Sequence, residues 1–470
     1  MGMITDIWVY LQNAVKNNVG VDRDLMQLLA DKDIDKVKQL FQDRDEEVKQ
    51  AIAEYNPEQH EIMKRQNKLR KGKEPYKVQK LPRAWQRYIN EISLFFLLAK
   101  PVVWREIDSN DTTVTAFKAF EDLLKDLRLT VKLRELKRLA GAETEAAMIF
   151  HVFDDDGQAG VKVMVLSMST GYMIRPLFDQ YSNMIAFAYG YMLKENGKTV
   201  EHFDVLTKEH TYRCRKADTG IGWEMEAIPN PVGKICAVYC RQPKEWDGTE
   251  IRIGRDEHVD SKAADVNEYF ADPQAKATAD VIQSLADPES VGKVIQLKNE
   301  NSSFEYVEPP TSIQMKEFEK KNLRESILMD SFTPDFTYEN MKGSGTLSGE
   351  ALKRALILGF IKRDLRMEIY DEIVDRIKNV ILAIMANVTH VSLKSAIDTL
   401  NVEHEFSEPF DDDTNSVWQS VGRAYTDGIV SLETAVRLVG VANPIEELER
   451  IKEEKKEREE AFMYPVSGNE

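Results

Sequence analysis

The sequence predicts an α+β fold, mainly α-helical, with one antiparallel β region, and three observations predict it. Apolar residues recur at helical spacing over most of the first 145 positions and again beyond position 255. Between these stretches, short apolar runs separated by Gly, Asn and Asp mark strands and tight turns. The hydrophobic content of 42% over 470 residues supplies more than one core, so several modules are expected.

Taken in order, Ile7, Tyr10, Leu11 and Val15, then Val37, Leu40, Phe41 and Val48, recur at helical spacing, so residues 1 to about 70 read as helices. The basic run KRQNKLRKGKEPYKVQK, within Lys64–Arg87, reads as a solvated loop or as a contact for a polyanion such as DNA or lipid phosphate. AWQRYINEISLFFLLAKP is a helix stopped at Pro101, and TAFKAFEDLLKDLRLTVKLRELKRLAGAETEAA is strongly helical. From Met148 to about Gln242 the texture is β. MIFHVF and VKVMVLSM flank an Asp-Gly turn; MIAFAYGYML, KTVEHFDVLT, HTYRCRKA, GIGWEMEAIP and GKICAVYCRQ follow at short spacing.

Helix returns after Gly254, with Val259, Ala263, Val266 and Phe270 on one stripe. A small mixed segment follows, with a short helix near ATADVIQSLA and strand candidates KVIQL and FEYVEP. A helix from about Ser312 to Asp330 would be roughly 28 Å long at about 1.5 Å per residue. Beyond a loop from Phe332 to Ser348 lies a long helix. Its Ile361, Leu365, Ile369, Ile373, Ile377 and Ile381, at every fourth position, predict a wide buried face. VEHEFSEPFDDD reads as a strand and a turn, TNSVWQSVGRAY and SLETAVRLVG as short helices, and PIEELERIKEEKKEREEAF as a charge-dense helix.

A formal charge of -17 argues against coating nucleic acid by bulk charge. Three cysteines, Cys214, Cys236 and Cys240, are too few for a disulfide framework and predict a reducing compartment. MGMITDIWVY lacks the pattern of a signal peptide, and Asp6 stands where a myristoylation site wants Ser or Thr. ISLFFLLA and NVILAIMANV fall short of the roughly 20 apolar residues a bilayer needs, so no membrane span is expected.

MKGSGTLSGEALKRAL, Met341–Leu356, is a glycine-rich loop entering a helix, but Gly343, Gly345 and Gly349 miss the phosphate-loop spacing. Glu350 would repel phosphate, and no strand precedes the loop; it reads as a slim connector with Ser348 capping the next helix. Asp154, Asp155 and Asp156 could hold a metal in a DNA-processing enzyme, yet before Gly157 they fit a hairpin turn; Asp411–Asp413 read likewise. Cys236 and Cys240 would stand about 13 Å apart along a strand, too far for one zinc, and read as buried thiols. No catalytic constellation, metal site or cofactor is predicted.

Four segments, in this order, resemble the portal proteins of long-tailed, siphovirus-type bacteriophages. They are LPRAWQRYINEISLFFLLAKPVVW; NPVGKICAVYCRQPKEWDGTEIRIGRDEHVDSKAADVNEYFADP; FTPDFTYENMKGSGTLSGEALKRAL; and AYTDGIVSLETAVRLVGVANPIEELERIKEEKKE. The resemblance spans most of the chain after Leu81, and order and spacing carry it rather than any single motif.

The resemblance implies a portal fold: a wing at 1–254 holding the β region, a first stem helix at 255–272, a small α/β clip at 273–311, and a second stem helix at 312–331. A tunnel loop at 332–348, a wing helix with return strand at 349–412, and a helical crown at 413–470 complete it. It implies a homo-oligomeric ring, a dodecamer, at the portal vertex of the capsid in the virion, assembled in the host cytoplasm. The implied partners are double-stranded DNA passing through the channel, the terminase large subunit, the major capsid protein and a head–tail connector or adaptor. Its DNA-channel residues would be Lys342, Gly343, Ser344, Gly345, Thr346 and Ser348 in the loop, with Lys316, Lys320, Lys321 and Arg324 as channel-facing bases of the stem. The alternatives are a metal-dependent DNA-processing enzyme and a virion scaffold or adaptor without a channel.

Overall fold

In a computed structural model, the chain is described at residues 24–41, 43–70, 73–107, 110–155, 158–217, 222–271, 275–277, 304–306, 313–336, 356–410, 414–441 and 444–463. Met1–Asp335 with Ile357–Ser407 form one compact unit, and Phe336–Leu356 with Glu408–Glu470 form a second.

The first unit opens with helices α1 (24–30), α2 (Ile34–Leu40) and α3 (Asp45–Tyr55). Ile34, Val37 and Phe41 are buried, because they pack with Leu25 and Leu29 on one face of the larger sheet. The predicted stripe from Ile7 to Val15 lies outside the described residues. The basic run is neither helix nor plain loop: β1 (Lys68–Arg70) and β2 (Lys73–Tyr76) pair antiparallel. Then come α4 (Trp85–Leu98), β3 (Val103–Ile107), α5 (Asp111–Asp126) and α6 (Leu129–Glu143). The strongly helical stretch is thus two helices rather than one. Arg128 takes a left-handed φ of 50°, and the reversal keeps Leu124, Leu127, Leu129 and Leu133 in one core.

The β region forms two antiparallel sheets. β4 (Glu145–Asp155), β5 (Gln158–Leu166) and β11 (Ala237–Arg241) give one, in the order β11-β4-β5. β6 (Tyr172–Phe178), β7 (Met184–Glu195), β8 (Lys198–Leu206), β9 (His210–Lys216) and β10 (Trp223–Pro229) give the other, in the order β10-β9-β8-β7-β6. Asp154 pairs with Ala159 and Asp155 with Gln158, which is the predicted hairpin; Asp156 and Gly157 lie outside the described residues. β6 escaped the sequence reading because Pro176 interrupts it, and it stands at a sheet edge where a missing N–H is tolerated. β7 turns into β8 through Asn196 and Gly197, both at positive φ, as a two-residue hairpin requires.

α7 (Glu250–Ala271) starts several residues before the predicted position, with Gly254 inside it rather than ahead of it. Val259 of its predicted stripe is buried, and Ala263 and Val266 are half-buried. β12 (Ala275–Ala277) pairs antiparallel with β13 (Phe304–Tyr306), within the strand candidate FEYVEP. KVIQL and ATADVIQSLA lie outside the described residues. α8 (Ile313–Asp330) packs along α7.

α9 (Ile357–Ile384) corrects the predicted face. Ile373, Ile377 and Ile381 are buried, but Ile361 and Leu365 are 39% and 45% exposed. Each four-residue step turns a helix about 40° past one full turn, so six such positions wrap around it and cannot share one core. α10 (Lys394–Thr399) and β14 (Asn401–Glu405) follow, and β14 pairs antiparallel with β3. The main core is a continuous cluster of α4, α5, α6 and α9 against the three-stranded sheet.

The second unit holds α11 (Thr414–Thr426), α12 (Leu432–Leu438) and α13 (Pro444–Met463), matching the three C-terminal helices expected. Among the described residues, no single helix is long and apolar enough to cross a membrane.

Candidate functional site

α7 carries an acidic face that is buried: Asp256, Glu257, Asp260, Ser261 and Asp265 all lie inside the fold. What covers it is the second half of the basic run. The backbone N–H groups of Gln79, Leu81 and Arg83 donate to Asp265 Oδ1 at 2.7 Å, Ser261 Oγ at 2.9 Å and Glu257 Oε1 at 2.8 Å. An extended chain advances about 6.6 Å in two residues and a helix about 6 Å in four, so alternate N–H groups of the strap meet every fourth residue of the helix. Side chains complete the junction: Arg65 with Asp265, Arg83 Nε with Asp260 at 2.7 Å, and Trp85 Nε1 with Asp256 at 2.9 Å. The polyanion facing this part of the basic run is therefore α7 itself.

His60 is buried against the same spine. Its Nδ1 lies 2.6 Å from Glu257 Oε1 and its Nε2 lies 2.7 Å from the carbonyl of Glu54. An ionised Glu257 and the Glu54 carbonyl both accept, an arrangement that favours donation from both ring nitrogens and so the protonated ring. Burial lowers its pKa, but the hydrogen bond and charge of Glu257 together with the carbonyl and charge of Glu54 raise it on balance.

The predicted stem bases divide. Lys320 pairs with Asp260 of α7, and Arg324 donates to Asp335 at 2.8 Å. Lys321 is exposed, 3.9 Å from Glu325, and Lys316 is half-exposed. The α7–α8 pair also leaves large apolar side chains bare: Ile251 is 89% exposed, Met315 75%, Phe318 67% and Met329 64%. The predicted loop residues Lys342, Gly343, Ser344, Gly345, Thr346 and Ser348 lie outside the described residues.

The chain's exit from α8 is tightly held. Phe332 adopts φ 48°, its N–H bonds to Met329 O and that of Thr333 to Leu328 O, the helix-ending arrangement usually built on glycine. Tyr88 Oη donates to Pro334 O at 2.9 Å. Lys362 of α9 reaches across to donate to Ser331 O and to Glu245 O, each at 2.9 Å. On the return side, Gly359 packs so closely on the Phe96 ring that an added Cβ would lie 2.3 Å from it. Both flanks of the 337–355 segment are thus anchored within the first unit.

Beneath that exit sits a buried ionic cluster that the sequence reading missed. Glu245, fully buried, is approached by Lys137 at 2.5 Å, Arg366 at 3.0 Å and Lys362 at 3.2 Å. Burial would raise the Glu245 pKa, but the three cations hold it well below the ordinary carboxylate value. Burial pushes Lys362 down to about 8, with Glu245 opposing and Arg366 and Lys137 adding to the fall. A lysine inside a charge-rich helix reads as solvated, so only the spacing of Lys362 and Arg366 on one face gave a signal.

The cysteine reading holds. Cys214, Cys236 and Cys240 are buried free thiols, and burial pushes them up to about 12, 11 and 11. Among the described residues, no group of three or more His, Cys, Asp or Glu side chains could hold a metal ion.

The family described as "Phage portal protein, SPP1 Gp6-like" matches residues 34–461. No curated protein matches the chain. Among solved structures, it is similar to the neck of a native GTA particle computed with C12 symmetry, at 11% identity and a TM-score of 0.41, covering 76% of this chain and 90% of that one. It is also similar to the neck of an empty GTA particle computed with C6 symmetry, at 9% identity and a TM-score of 0.40, covering 76% and 89%.

Proposed function

Because this chain belongs to the SPP1 Gp6-like family of phage portal proteins, we propose that it forms a homo-oligomeric ring, a dodecamer, at one vertex of the capsid and conducts double-stranded DNA during packaging and ejection. The family match over residues 34–461 is the observation that carries this reading. On it, 1–254 with 349–412 is the wing, 255–272 and 312–331 are the stem helices, 273–311 is the clip, and 413–470 is the crown. The clip docks the terminase large subunit and later the head–tail connector, and the major capsid protein surrounds the ring. No chemistry on the DNA is assigned to the protein.

Two features support the reading. The exposed Ile251, Met315, Phe318 and Met329 on the paired helices are the kind of apolar surface that neighbouring subunits cover. The clamped exit at Ser331–Asp335 and the close packing at Gly359 give the intervening loop a rigid base. On this reading residues 332–348 project into the channel, where Lys342 offers a weak phosphate contact and Ser344, Thr346 and Ser348 offer hydroxyls, with Gly343 and Gly345 keeping the loop slim. Contact has to stay weak because the duplex moves, and a net charge of -17 disfavours sticking. Of the stem bases, Lys316 and Lys321 remain available to the channel.

Electron microscopy of the purified protein tests this: end-on rings with a central hole are expected, with a mass of roughly 650 kDa, twelve times 53.9 kDa. Deleting Lys342–Thr346 should leave the rings intact and impair packaging or DNA retention. Normal DNA-filled particles from that deletion would remove the channel role of the loop.

A further inference from the structure

Between the two sheets of the first unit lies an open-mouthed cavity of about 660 Å³. Its floor is one face of the five-stranded sheet, where the register aligns Tyr189, Asp204, Arg213 and Glu226 across four strands. The neighbouring row aligns Tyr172, Tyr191, His202 and Arg215. The rings form one wall: Tyr189 stacks on Tyr191 at 5.7 Å and Tyr191 on His202 at 5.0 Å.

Asp204 is the anomaly. It is 4% exposed, and Tyr189 and Tyr191 donate to its Oδ2 at 3.2 and 3.3 Å. Its Oδ1 is buried with no hydrogen-bond partner. Such a deficit is costly, the more so for a charged group. Protonating Oδ1 does not cure it, since the new O–H would then need an acceptor. Arg213, exposed and directly across from Asp204 in register, acts on it through its charge but makes no hydrogen bond that would satisfy Oδ1. Arg215 is already bonded to Glu195 at 2.7 Å and Glu224 at 3.2 Å, and His202 to Glu195 at 3.0 Å.

We propose that this cavity binds a primary alkylammonium group, with Asp204 as counter-charge and the tyrosines as its aromatic wall. A small cation with several N–H donors supplies what Oδ1 lacks. Among the described residues the site lacks the several ligands a metal would need. Glu226 lies two strands from Asp204, roughly 10 Å by strand spacing, so a diamine can span the two carboxylates. The ammonium can come from a free diamine or from a lysine side chain of another chain.

Calorimetric titration of the full-length protein with cadaverine tests the site. Saturable binding is expected, at least tenfold weaker in Asp204→Asn and severalfold weaker in Glu226→Gln, whereas pentylamine binding should be indifferent to Glu226→Gln. Tyr191→Leu, at a half-exposed position, should weaken both amines and serves if Asp204→Asn fails to fold. Amines released from the purified protein by acid would identify a free diamine as the source; a carbodiimide cross-link from Asp204 to a lysine peptide would identify a protein one. No saturable binding by about 10 mM cadaverine, some 3 kcal/mol of affinity, or binding unchanged in the folded variants, overturns the proposal.

Discussion

Lys362 shows how one residue links the interior to the segment it supports. Its folded pKa, about 8, lies below the ordinary 10.5. The unfolded chain therefore holds more protons between those values, and stability rises as the pH climbs through that window. Replacing Lys362 with Met deletes the effect. Urea unfolding should find the wild type gaining on Lys362→Met by about 2 kcal/mol between pH 7.5 and 9.5. Phe332 makes a second prediction. A bulky residue in the left-handed region costs roughly 1–2 kcal/mol, and Phe332 is 40% exposed. Phe332→Gly should raise the melting temperature by a few degrees, measured by circular dichroism. Neither residue was legible in the sequence, because a helical lysine reads as a surface charge and only glycine announces a positive φ.

Among the elements, those specified by near neighbours were readable. The β4–β5 and β7–β8 hairpins show alternation and turn residues side by side in the chain. Elements specified by distant partners were not. The break at Arg128 has no glycine or proline to mark it, and the core decides it. The acids of α7 look like a solvated face because their strap lies some 180 positions earlier. That pairing is testable: Ser261→Ala removes the acceptor of the Leu81 N–H, a hydrogen bond worth about 0.5–1.5 kcal/mol. Hydrogen exchange at Leu81 should quicken severalfold, with the α9 amides unchanged.

For the whole molecule, the open question is closure into a ring. Phe318→Asp places a charge on a surface that is 67% exposed in one chain and, on the proposed function, covered in the assembly. The subunit should fold with an unchanged melting curve while mass photometry shows small species instead of rings. The chain order of segments foreshadowed the family, but subunit contacts leave no periodic trace in one sequence. The strap has a last consequence, for descent. It meets α7 as a vernier meets its scale, two divisions against four. A slip of one division would aim carbonyls at carboxylates. In lineages that keep this junction, insertions and deletions between Gln79 and Arg83 should survive only in even numbers.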